Sequence, residues 1–144
     1  MSVLVTATAY FHTRDDDKDD DTVLAAAVYL PDGTLVADVV GITGRFPDDR
    51  DNGPFGLTVH GRVDRSKLGA ALAALHIEPN GDDTWKFNWR LILAFDDGTQ
   101  HTANWDGPFL SDDVKDRIYA LRVPPVKATT ATFPKAGGKV RREA

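Results

Sequence analysis

The chain has 144 residues, 42% of them hydrophobic, no cysteine and a formal net charge of −5. That is enough apolar material for one domain with a real core, and the missing cysteines exclude both a disulfide framework and a thiolate metal centre. Residues 1–123 hold 12 Lys/Arg against 21 Asp/Glu, whereas Lys127, Lys135, Lys139, Arg141 and Arg142 face only Glu143 beyond them. An acidic body argues against binding the phosphate backbone of nucleic acids, which needs positive surface.

The opening residues, Met1-Ser2-Val3-Leu4-Val5, lack the basic region and long apolar stretch of a secretory signal. No run approaches the roughly 20 apolar residues of a membrane span, so a soluble chain is expected. Strand-like runs follow at 3–12, 22–30, 34–41, 55–63, about 71–78, 85–95, 99–105 and about 116–123. The clearest is 85–95. There Trp85, Phe87, Trp89, Leu91, Leu93 and Phe95 share one face while Lys86, Asn88 and Arg90 take the other, the period of a half-buried strand. Trp85, Phe87 and Trp89 are therefore expected in the core.

Pro31-Asp32-Gly33 and Asp96-Asp97-Gly98 read as tight turns. Leu68, Ala71, Leu72 and Leu75 recur at helical spacing behind Asp64 and Ser66, which predicts a short helical turn before the next strand. Ser111-Asp112-Asp113-Val114 can open another such turn. The expected architecture is all-β, an antiparallel β-sandwich of about eight strands over residues 1–123, followed by a flexible basic tail at 124–144 rich in Pro, Thr, Ala, Gly and Lys.

Between the first two strands lies Arg14-Asp15-Asp16-Asp17-Lys18-Asp19-Asp20-Asp21. Carboxylates packed that closely repel one another, and a bound hard cation reverses the sign of that energy. Calcium takes six to eight oxygen ligands and suits a flexible carboxylate loop. The run is not a helix–loop–helix calcium site: Asp15, Asp17 and Asp19 fit its first, third and fifth positions, but Asp20 replaces the required Gly and Ala26 the closing Glu. In a succession of antiparallel strands, alternate connections lie at opposite ends. One end is then expected to gather loops 13–21, 43–54, 79–84 and 106–116, which hold fifteen of the 21 acids of the body.

The first strand, the stretch from His12-Thr13-Arg14-Asp15 to Asp21-Thr22, and the strand after it resemble the PLAT (lipoxygenase-homology) β-sandwich and related calcium-dependent lipid-binding sandwiches. So does Leu75-His76-Ile77-Glu78-Pro79-Asn80-Gly81-Asp82-Asp83-Thr84-Trp85-Lys86-Phe87, a strand, a polar Asn/Asp loop and a Trp leading into the next strand. Together these segments cover about a quarter of the chain, and the acid run is denser than the family's. The resemblance implies a non-catalytic module whose loop-end calcium aids docking to a lipid surface or a protein partner. Carried over by position, Asp15, Asp17, Asp19 and Asp21 are the primary ligands, with Asn80 and Asp82 facing them. Asp20 and Asp83 complete the candidate set.

Two other binding classes fit the same residues. One is a carbohydrate-binding sandwich with structural calcium, using Trp105, Phe109, Phe46 and Phe55 beside the acidic loops as a sugar platform. The other is a metal-free acidic subunit for a basic protein. Catalysis is not expected: a G-x-S-x-G elbow and cysteine are both absent, and acids are too abundant to single out a hydrolytic pair. His12, His60, His76 and His101 lie on different expected strands with no metal-ligand spacing.

Overall fold

The computed structural model describes residues 2–125. Nine strands follow in chain order: β1 (Leu4–Asp16), β2 (Val23–Tyr29), β3 (Leu35–Ile42), β4 (Asp51–Val59), β5 (Leu72–Glu78), β6 (Thr84–Phe95), β7 (Gln100–Trp105), β8 (Phe109–Ser111) and β9 (Asp116–Ala120). The helical turn expected near residue 65 is one turn of 3₁₀-helix, Arg65–Lys67, whose N-cap Asp64 accepts from the Ser66 amide. Among the described residues no helix is long and apolar enough to cross a membrane. The expected tail lies, from residue 126 onward, outside the described residues.

The fold is all-β and antiparallel, as the periodicity predicts. Its strands form one continuous hydrogen-bonded path, β7-β6-β1-β4-β3-β2-β5-β9, with β8 paired to β6. The path curls because β4 changes partner along its length. Residues Asp51–Leu57 pair with β1, while only Thr58 and Val59 pair with β3. The curl brings the two ends of the path together through side chains: Trp105 of β7 and Tyr119 of β9 have ring centroids 5.0 Å apart.

The inward faces follow from strict alternation. On β6, Trp85, Phe87, Trp89, Leu91, Leu93 and Phe95 are all buried, as the sequence pattern requires. Phe11 of β1 sits at the centre of an aromatic cluster, 5.4 Å from Trp85, 5.7 Å from Trp89 and 6.2 Å from Phe46. Removing one such ring from a packed core costs on the order of 3–5 kcal/mol. The Trp85 indole N–H, which burial would otherwise orphan, donates to Thr13 Oγ1 at 2.9 Å.

Two poles result. At one, the connection after β1 meets those after β3, β5 and β8. Lys18 and Phe46 exchange backbone bonds, Gly44 N donates to Asp20 O, Asp49 N to Thr13 O, and Asp112 N to Asp83 O. At the other, residues 2–4 are tied to 63–65 and 96–97, with the Asp97 carboxyl held down to about 2 by hydrogen bonds from Ser2 and Thr99. The gathering of acidic loops at one pole is thus realised, except that the 106–108 connection crosses beside Asn88, short of the pole.

Candidate functional site

β1 runs straight into the acid run, and Asp15 and Asp16 are its last residues. The chain then turns, and the two backbone bonds between Lys18 and Phe46 aim the Lys18 side chain inward. Lys18 is fully buried. Its ammonium donates to the main-chain oxygens of Thr22 at 2.7 Å, Gly44 at 2.5 Å and Asp19 at 3.1 Å, which uses all three of its donors. It also stands 4.6 Å over the centre of the Phe46 ring, a further electrostatic attraction in a dry site. Burial pulls the Lys18 pKa down, while Asp83, Asp19, Asp20 and Asp21 push back toward the charged form.

The acidic loops thus enclose one cation that belongs to the chain, the Lys18 ammonium. Beside it, the buried Asp83 accepts from Thr22 Oγ1 at 2.6 Å and from the Asp19 amide at 3.2 Å, so the 79–83 loop is locked to the acid run. Partial desolvation, and then the neighbouring carboxylates of Asp83, Asp17, Asp21 and Asp20, push the Asp19 carboxyl up from its ordinary value. Asp17 is tied to Arg45 Nε at 2.8 Å, and Asn80 donates to Asp21 Oδ2 at 3.2 Å.

All eight candidate ligands, Asp15, Asp17, Asp19, Asp20, Asp21, Asn80, Asp82 and Asp83, lie at this pole. They do not converge on a common point: among the described residues no group of three or more His, Asp or Glu is arranged to hold a metal ion. Asp83 turns inward to Thr22 and Asp19, Asp17 sideways to Arg45, and Asp15, Asp20, Asp21 and Asp82 are exposed. Lys18 is the residue that sequence reasoning missed. Its signal was a single lysine inside a run of aspartates, which reads equally well as charge balancing.

The loop aromatics divide. Phe46 is buried in the core and Phe55 packs against it, Trp105 stacks on Trp89 at 4.6 Å, and Phe109 is 39% exposed beneath the Arg117 guanidinium. Three of the four histidines are partnered with acids. His12 Nδ1 lies 2.7 Å from Asp51, His60 pairs with Asp38, and His76 sits between Asp116 and Glu78, each at 2.6 Å. Burial of the His76 ring opposes its charge, yet those two carboxylates outweigh it and raise its pKa. No family model, no curated protein and no solved structure matches the chain.

Proposed function

We propose that the chain is a non-catalytic recognition module that engages a basic protein segment through its acidic pole. The observation behind this reading is the buried Lys18 ammonium in its cage of three carbonyl oxygens. It holds the loops together without an ion from solution, and so fixes the outward carboxylates of Asp15, Asp20, Asp21 and Asp82 in place beforehand. A preorganised acidic surface raises the encounter rate with cationic partners and selects against anionic ones. Anionic lipid is disfavoured for the same reason.

A second reading, calcium at the same pole with docking to lipid or protein, draws support from the Asn80–Asp21 contact. That contact brings together two loops the PLAT resemblance pairs, and Asp82 stands exposed on one of them. One experiment separates the readings. The chain is melted with millimolar calcium and with chelator, and its binding to a fluorescent octalysine peptide is followed at low and high salt. The expected result is a Tm indifferent to calcium, with peptide binding that weakens steeply with salt and on replacing Asp20, Asp21 and Asp82 by Asn. Calcium binding only the folded form would add about 2.7 kcal/mol at one hundred times its Kd, so a rise of several degrees in Tm establishes the second reading instead.

A further inference from the structure

The outward face of β1, β6 and β7 carries an open groove of about 380 Å³, away from the Lys18 cage and within the usual size of a small-ligand site. Strand register builds it in two rows. Tyr10 lies opposite Arg90 and Arg90 opposite Asn104, while His12 lies opposite Asn88.

Asn88, Asn104 and Arg90 are each anchored by one atom and present another. Asn88 Oδ1 accepts from the Gly107 amide at 2.9 Å and Asn104 Oδ1 accepts from Arg90 Nε at 2.9 Å, while His12 is fixed at both ring nitrogens, Nδ1 2.7 Å from Asp51 Oδ1 and Nε2 3.4 Å from Asp49 Oδ1. The amide N–H groups of Asn88 and Asn104 and the terminal nitrogens of Arg90 make no other hydrogen bond among the described residues. Tyr10 is 38% exposed beside them, its ring available as a flat apolar surface.

We infer that this groove binds a neutral saccharide. The chemistry excludes the other common ligands in turn. Asp51 and Asp106 against the single guanidinium of Arg90 disfavour phosphate or a carboxylate ligand. The dense planar polar groups disfavour an apolar ligand, which would leave them desolvated and unmatched. A sugar supplies what the groove lacks. Each hydroxyl both donates and accepts, adjacent hydroxyls match the paired positions of an amide, guanidinium or carboxylate, and one C–H face can lie on an aromatic ring. Because Asn88, Asn104, Arg90 and His12 are already held by contacts to their neighbours, they have little side-chain freedom left to lose on binding. The location differs from the loop aromatics expected from sequence: it is a strand face, and Tyr10 rather than Phe46 or Phe55 is its platform.

The test is calorimetric titration of the full chain with cellotetraose, maltotetraose, mannotetraose and chitotetraose, with co-sedimentation on insoluble cellulose and mannan to separate soluble from surface polysaccharide as the source. Saturable binding to at least one glycan is expected. Tyr10→Ala and Asn104→Ala should each weaken it about tenfold, the equivalent of one well-made contact, while Tyr29→Ala on β2 leaves it unchanged. Failure of every glycan to bind, or binding that survives both groove substitutions, overturns the inference. Octalysine should not displace the sugar, so this outcome is independent of the acidic-pole result.

Discussion

A buried lysine is costly unless every donor finds an acceptor, and Lys18 meets that condition with three carbonyl oxygens and an aromatic face. The same arrangement makes it irreplaceable. Lys18→Met keeps much of the side-chain volume but removes the ammonium donor from the oxygens of Thr22, Gly44 and Asp19, the last keeping only its 3.3 Å bond from the Thr22 amide, and leaves the buried Asp83 without its neighbouring positive charge. Removing one partner from a buried charged network costs about 3–5 kcal/mol. Urea denaturation of Lys18→Met should therefore show a loss of that order. Lys18→Arg should fare little better, because a planar fork does not fit a cage shaped for a compact ammonium. A loss below about 1 kcal/mol, the scale of an exposed ion pair, would mean that the ammonium reaches water and that the loops are held by something else.

At the scale of elements, the strands were legible because alternation is a local signal. β6 needs only its own residues to announce which face is buried, and the parity of successive antiparallel strands then put the acidic loops at one pole. What was not legible depends on pairing. β8 is three residues long and pairs with β6 as a side branch, so Phe109–Ser111 carried no periodicity to read. The helical turn expected at Ser111–Val114 does not form: Ser111 ends β8, and its hydroxyl instead accepts from the Asp113 and Val114 amides in a non-helical bend. The histidine–carboxylate contacts were hidden for the same reason, since His12 and Asp51 meet only through the register of β1 with β4.

That register includes a shift between Ala9 and Phe11, opposite the start of β4. Gly53 sits there at φ +133°, and a Cβ on it would lie 2.9 Å from the Ala9 carbonyl oxygen and 3.2 Å from Tyr10 Cα. Both obstacles are backbone and cannot swing aside. Gly53→Ala should destabilise by at least the roughly 1–3 kcal/mol of a residue forced into a sparsely allowed conformation. In an amide NMR spectrum the largest shift changes should fall on β1 and β4 around Ala9–Phe11. Gly33→Ala, in a turn with nothing within 4 Å, serves as the control for positive φ without the steric clash.

For the molecule as a whole, the open question of a curled sheet is how its two end strands are sealed. No backbone ladder joins β7 to β9. The seam is closed by side chains instead: Trp89, Trp105 and Tyr119 pack together with centroids 4.6–5.6 Å apart, and His101 Nε2 lies 3.3 Å from the Leu121 carbonyl oxygen. This closure was invisible in the sequence, because Tyr119 and Trp105 become neighbours only after the sheet has curled. Burial pushes the Tyr119 hydroxyl up to about 12 against the opposing pull of Arg117 and of the nearby Trp89 indole N–H, yet the indole and the hydroxyl are not aligned for a well-formed bond, and both buried atoms lack such a partner among the described residues. The ring and the hydroxyl should then separate in a mutation pair. Tyr119→Phe removes an unsatisfied polar atom and keeps the packing, so stability should hold or rise. Tyr119→Ala removes the packing, so amide hydrogen exchange should accelerate in β7 and β9 while β1 and β6 at the centre of the path stay protected. Uniform acceleration across all strands in Tyr119→Ala would show instead that the seam opens only with global unfolding.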